Sequence, residues 1–228
     1  MTRRDELAAN LAAVEERIAS ACADAGRQRD EITLIVVTKT YPHSDAELLR
    51  DLGVTDIGEN RHPEAESKVT DGLRLHFVGG LQTNKAGAVT RYADVVQSVD
   101  RPKLARSLSR GAEAAGREVE CLVQVDFQEG ADAGRAGVAP DGILALADEI
   151  ASLGALTLRG LMTVAPLGAD PRPVFDRLME LSADLRRQHP GATVVSAGMS
   201  DDFEHAVAAG ATHLRVGRSV LGERPPAR

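Results

Sequence analysis

Apolar positions recur along the chain in two rhythms. Residues 4–25 carry Leu7, Leu11, Val14 and Ile18 at helical spacing, and Gly26 follows as a stop. From residue 32 onward, short runs rich in β-branched residues alternate with amphipathic stretches. The runs predict strands over 32–38, 54–57, 74–78, 94–98, 119–125, 156–162, 193–196 and 212–216. The stretches between them predict helices over 44–52, 61–69, 84–91, 101–115, 141–152, 172–188 and 201–209, with a short last one over 218–222. Strands that alternate with helices pair in parallel, because each crossover returns the chain to the same end of the sheet. Eight such units in about 200 residues suit an α/β fold, a closed (β/α)8 TIM barrel with an extra N-terminal helix. An open doubly wound sheet is the alternative.

No Pro/Gly-rich linker, composition shift or low-complexity segment divides the chain. Residues 1–228 are therefore expected to form a single domain, with 1–26 packed on the barrel and 225–228 as a frayed tail. Aromatic residues make up only 3%, with no Trp, so aliphatic side chains and Ala must fill the core. The formal net charge of −7 argues against a general nucleic-acid or membrane-surface binder, since either needs a basic face. It leaves room for one basic pocket around a small anion. Cys22 and Cys121 are too few for a disulfide scaffold or a zinc site, and the six histidines show no metal spacing. No metal is expected, and a reduced, cytoplasmic setting suits the chain. The N-terminal stretch is charged throughout and lacks the apolar core of a signal peptide. No run approaches the roughly 18 apolar residues that span a bilayer.

In a barrel, chemistry gathers where strands end and the following loops begin. Those places read Lys39, "IGEN" (57–60), "HFVGGLQTNK" (76–85), "SVD" (98–100), "QVDFQEG" (124–130), "RGLMTVAP" (159–166), "SAGMSDD" (196–202) and "LRVGRS" (214–219). Polar residues and glycines concentrate there, which marks that rim as the functional face.

Lys39 closes the apolar run "TLIVVTK" (33–39). A lysine there either reaches out to water or presents its amine inside the mouth as a nucleophile toward an aldehyde. After strand seven, "SAGMSDDFEHAVAAG" places Gly198 and Ser200 ahead of a helix that Asp201 or Asp202 can cap. After strand eight, "THLRVGRSVLG" places Gly217 between a strand and a helical turn. Together these two loops match the recurrent phosphate site of such barrels, although each glycine alone also serves as a tight turn. Arg215 ends the last strand in an apolar run and needs an acceptor, either a carboxylate such as Glu59 or Asp100 or a group on a ligand. Met162 and Met199 fall at strand ends, as core residues or as packing for a flat ring. His76 stands nearer the mouth as a candidate polar contact. The chain has no HExxH, GxSxG, GxGxxG or P-loop pattern.

Six stretches occur in order from about residue 7 to 224: "VVTKTYP", "IGENRHPEAESK", "HFVGGLQTNK", "LRGLMTV", "GMSDDFEHAVAAG" and "RVGRSVLGER". With them the chain resembles the pyridoxal phosphate homeostasis (YggS/PROSC) family, whose fold is like the N-terminal barrel of alanine racemase. The resemblance implies pyridoxal 5′-phosphate as cofactor and a Schiff base between it and Lys39. It implies that Arg215 faces the pyridine nitrogen, that Asn60 lies near the ring and that Met162 helps form the bed beneath it. Gly198, Met199 and Ser200, with Gly217, Arg218 and Ser219, would hold the phosphate. The family often has Thr or Ser at the position of Arg218, so either Arg218 supplies charge to the phosphate or Ser219 replaces the hydroxyl contact. It also often has Pro or His at Gly80, which bears on the shape of that loop.

No catalytic residue is expected. Arginine stays protonated, so an arginine facing the ring nitrogen leaves it mostly unprotonated and the ring a weak electron sink. A two-base racemase also needs a second acid/base, which in the alanine racemase resemblance is a tyrosine from a second, β-rich domain. This chain offers only Tyr41, Tyr92 and His76. The expectation is a non-enzymatic carrier in cofactor homeostasis, a monomer or weak dimer, that binds pyridoxal phosphate and delivers it to apo-enzymes. One alternative is a low-activity amino-acid racemase with Tyr41 or His76 as second base. Another is a ligand-free barrel used for protein interaction.

Overall fold

The computed structural model describes residues 2–127, 137–166 and 168–223. The expected tail at 225–228, and residues 128–130 of the loop after the fifth strand, lie outside the described residues. All eight expected strands form: β1 (Thr33–Val37), β2 (Asp56–Glu59), β3 (Arg74–Phe77), β4 (Val95–Val99), β5 (Val119–Val125), β6 (Leu156–Thr163), β7 (Val194–Ser196) and β8 (His213–Val216). They pair in chain order, every pair is parallel, and β8 closes on β1. The sheet is thus a closed barrel rather than an open doubly wound one.

Helix α1 (Arg3–Asp24) starts from a capping box in which Thr2 and Asp5 satisfy each other's backbone N–H groups. Its apolar stripe of Leu7, Val14 and Ile18 is buried, and it packs across the helices that follow the last two strands. These are α7 (Phe203–Ala209) and α8 (Arg218–Leu221). The remaining outer helices are α2 (His43–Asp51), α3 (Ala86–Val89), α4 (Pro102–Ala115), α5 (Ile143–Ala151) and α6 (Arg172–Gln188).

Two helical expectations need correction. Over 61–69 only a 3₁₀ turn forms, at Ala65–Lys68. Pro63 has no N–H to give an α-helical ladder, and the side chains of Glu64 and Lys68 are spent on partners near the end of β1. Over 84–91 the α-helix shrinks to α3, preceded by a 3₁₀ turn at Thr83–Lys85. Gly87 weakens helix continuation there, and its backbone packs closely against Gly111 of α4.

The strands alternate between two environments. One set of side chains, among them Leu34, Val36, Phe77 and Leu214, joins a continuous apolar layer between sheet and helices. The other set points into the barrel, where Leu122, Met162 and Val194 form a small apolar cluster. The other inward positions include Asp56, His76, Gln97, Ser196 and Arg215, all buried. Among the described residues no helix is long and apolar enough to cross a membrane, and no cluster of His, Cys, Asp and Glu could hold a metal ion.

Candidate functional site

The same alternation that turns Ile35 and Val37 inward carries Lys39 to the mouth of the barrel. There a cavity of about 630 Å³ opens at the C-terminal ends of the strands. Lys39, Asn60, Met199, Ser200, Arg215, Gly217 and Arg218 line it, so the side chain that follows β1 shares one cavity with the loops after β7 and β8.

The backbone on either side of Lys39 is clamped. Thr38 Oγ1 donates to Glu59 Oε1 at 2.6 Å, and Lys68 Nζ donates to the Thr38 carbonyl at 3.2 Å and to Glu59 Oε1 at 3.3 Å. The Thr40 N–H donates to Glu64 Oε1 at 2.6 Å. Thr40 itself sits at φ 72°, a left-handed conformation that costs a β-branched residue energy and persists only when the surroundings impose it. Glu59 is fully buried, its Oε2 has no hydrogen-bond partner, and burial pushes its carboxyl above the usual range against the pull of Thr38 and Lys68. Sequence reasoning passed over Glu59, Glu64 and Lys68 as site residues. The available signal was an acid ending the buried strand "DIGE", the same kind of anomaly that singled out Lys39.

Arg215 enters the cavity from below and is 4% exposed. Neither expected carboxylate holds it: Glu59 pairs with Lys68, and Asp100 pairs with Arg101. Arg215 donates instead to two neutral acceptors, Ser196 Oγ and the Thr163 carbonyl, both at 2.7 Å. Burial lowers it to about 10, with the Asp202 carboxylate as a partial counterweight, so it remains cationic at neutral pH.

The expected phosphate loops divide. Met199, Ser200, Gly217 and Arg218 face the cavity, and Arg218 pairs with Asp201 of the neighbouring loop at 2.8 Å as an exposed pair. Gly198 lies behind the wall at φ 88°, where a Cβ would come within 2.9 Å of Phe203 Cα and 2.7 Å of Ala206 Cβ, so only glycine lets the loop turn against α7. Ser219 sits on α8 and does not line the cavity. Met162 is buried beneath the site against Leu122 and Val194. On the facing rim, a Cβ on Gly79 would lie 2.2 Å from the Asn60 carbonyl, so glycine is required for the two loops to close that side.

His76 is not at the mouth. It lies inside the barrel, held by Asp56 Oδ1 at 2.8 Å and Gln97 Nε2 at 2.9 Å. Tyr41 lines the cavity, but its hydroxyl donates to the Gly222 carbonyl at 2.7 Å. The donor set suits a flat aromatic aldehyde bearing an anion. It offers one primary amine, a buried guanidinium and a hydroxyl- and glycine-lined wall in a space typical of cofactor sites.

Residues 6–225 match the family model described as alanine racemase, N-terminal domain. The chain is 36% identical over 243 aligned residues to a pyridoxal phosphate homeostasis protein of Mycobacterium tuberculosis, covering 97% of this chain and 94% of that one. It is 32% identical over 230 residues to the protein of the same name in Escherichia coli K12, covering 96% and 97%. The solved structure of PipY from Synechococcus elongatus with PLP bound superposes with a TM-score of 0.81 at 31% identity, over 95% of this chain and 100% of that one. Alanine racemase of Clostridium difficile shares the fold at 16% identity and a TM-score of 0.75, over 98% of this chain and 58% of the larger protein. The chain therefore belongs to the alanine racemase N-terminal domain family and, within it, to the pyridoxal phosphate homeostasis proteins.

Proposed function

We propose that this chain binds pyridoxal 5′-phosphate at the C-terminal mouth of its barrel and serves intracellular homeostasis of that cofactor, holding it on Lys39 and releasing it to apo-enzymes without turning over a substrate. The observation that carries this reading is the clamped Lys39 sharing a cavity of about 630 Å³ with the loops after β7 and β8. When bound, the cofactor supplies an aldehyde that takes up a primary amine. Lys39 supplies that amine. Ser200, Gly217 and Arg218, which line the cavity, would meet the phosphate, and Asn60 and Met199 would flank the ring. Met162, Gly198 and Ser219 contribute from behind, by supporting the wall rather than forming it.

Arg215 only donates hydrogen bonds, so it favours an unprotonated ring nitrogen and disfavours carbanion chemistry. Tyr41 and His76, the candidate second bases of a racemase, already have partners: Tyr41 Oη at the Gly222 carbonyl, and His76 at Asp56 and Gln97. Both arrangements support a carrier over a catalyst. The two cysteines are free thiols and buried, which fits the cytoplasm as the place of action.

Borohydride reduction of the loaded protein followed by peptide mass mapping tests the reading. A pyridoxyl adduct on Lys39, lost in Lys39→Ala, is the expected result; an adduct elsewhere, or none, would sink it. Incubation of loaded protein with L-alanine and other L-amino acids tests the second half, where sustained formation of D-amino acids would replace the carrier with a racemase.

A further inference from the structure

Beneath the cavity a line of polar side chains crosses the barrel. Arg215 Nη1 donates to Ser196 Oγ at 2.7 Å, and Ser196 Oγ donates to Gln97 Oε1 at 2.7 Å. Gln97 Nε2 donates to His76 Nδ1 at 2.9 Å, and His76 Nε2 donates to Asp56 Oδ1 at 2.8 Å. Thr55 Oγ1 takes up the remaining oxygen of Asp56 at 2.6 Å. The five residues come from β8, β7, β4, β3 and β2, and the most exposed of them, Asp56, is 6% exposed.

The two ends, with the Gln97 amide oxygen toward Ser196 and its nitrogen toward His76, set the direction of every link. A guanidinium only donates, so the Ser196 oxygen must accept and spend its own hydrogen elsewhere; the Gln97 oxygen takes it. The Gln97 amide nitrogen then faces His76, whose Nδ1 must accept and whose Nε2 must carry the hydrogen, and the line ends on a carboxylate that only accepts. Barrel interiors of this kind are ordinarily filled by Val, Ile and Leu, which need no such partners. A fully connected, polarised line in their place rigidifies what lies at its ends. One end is the cofactor cavity. The other lines a second cavity, of about 330 Å³, at the N-terminal rim, where burial works against the Asp56 carboxylate and bonds from His76 and Thr55 outweigh it.

We propose that Ser196, Gln97, His76 and Asp56 are positioning residues that hold the Arg215 guanidinium in one orientation toward the cavity and couple its donor strength to Asp56 at the far rim. What Arg215 faces rests on the cofactor reading; the coupling itself is a property of the unloaded protein. Guanidinium ¹H–¹⁵N NMR of unloaded protein, with the signals assigned through Arg215→Lys, reads that coupling directly. Ser196→Ala, Gln97→Leu and Asp56→Asn are expected to displace the Arg215 signals in that descending order, and Ser196→Thr to restore them. Leu122→Ala, an inward apolar change outside the line, lowers the melting temperature and leaves the signals in place. In loaded protein the rate at which hydroxylamine strips the cofactor rises in the same order, by about tenfold for Ser196→Ala, the scale of one lost hydrogen bond to a charged group. Unmoved Arg215 signals in Gln97→Leu and Asp56→Asn would overturn the proposal, as would shifts that follow melting temperature rather than place in the line. Shifts in unloaded protein with unchanged stripping rates would also overturn it, by confining the line to a structural part. Displaced signals in a protein that carries no Lys39 adduct would count against the cofactor reading and leave the coupling standing.

Discussion

The two faces of the same eight strands have been put to different uses. Outward, the side chains enter a continuous aliphatic layer under the helices, anchored by large residues such as Phe77, Leu108 and Phe175 that are almost wholly buried. Inward, three apolar residues form a small patch, and directed hydrogen bonds link five polar ones. Apolar burial is non-directional and tolerates crowding, so it supplies stability wherever surface is removed from water. Buried polar groups contribute little net energy but fix orientation, because each must find its partner. The outer layer thus holds the barrel closed, and the inner line and the clamp around Lys39 decide where Arg215 and Lys39 point.

The sharpest way to break this division is in the outer layer. Leu108→Ala, in α4 at 0% exposure, is expected to cost about 2–5 kcal/mol in denaturant unfolding while Lys39 still takes the borohydride adduct. A variant that lost the adduct while remaining folded would show that the two layers are not separable.

The next effect belongs to the inner face. Burial, with help from Arg74 and Arg159, holds His213 at about 4 against an ordinary 6.5, while Asp56 pulls the other way. Between those values the unfolded chain binds the extra proton, so stability falls as pH drops through that window, by about 1.4 kcal/mol per pH unit. His213→Gln should remove that slope from unfolding curves taken between pH 4 and 6.5. An unchanged slope would place the titrating group elsewhere.

Arg215→Met tests the inner face at its cavity end. It leaves Ser196 Oγ and the Thr163 carbonyl without their donor, so it should cost about 1–3 kcal/mol of stability while the absorbance band of bound cofactor shifts. The smallest effect is expected at the rim, where Arg218→Ala removes a solvent-exposed partner of Asp201. It should cost less than about 1 kcal/mol of stability and weaken cofactor retention in a salt-dependent way.

The strand pattern was legible because a period of two and β-branched runs are local properties. Every strand lies within two residues of its expected ends, and α6 matches at both ends. The 61–69 segment was misread because Glu64 and Lys68 look like solvent-facing helix residues until β1 is placed beside them. Lys39, Ser200, Arg215 and Gly217 were legible as residues of the mouth cavity because strand ends gather at one mouth in any such barrel. Met162 and Ser219 were harder, since whether a residue faces the cavity or backs it depends on strand tilt and loop closure. The line through Ser196 and Gln97 joins residues 99 apart in the chain, and no periodicity announces which polar residue on one strand meets which on another.

By itself, then, the order of residues determined the number of strands, their parallel pairing, the rim where polar residues and glycines gather and the lysine that follows its first strand, because each follows from short-range patterning and chain connectivity. Only the tertiary structure decided that Arg215 would meet Ser196 and the Thr163 carbonyl instead of an acid, and that Glu59 would serve Thr38 and Lys68. Those outcomes depend on which side chains strand register and helix packing bring together from separate segments, and that is a property of the folded shape.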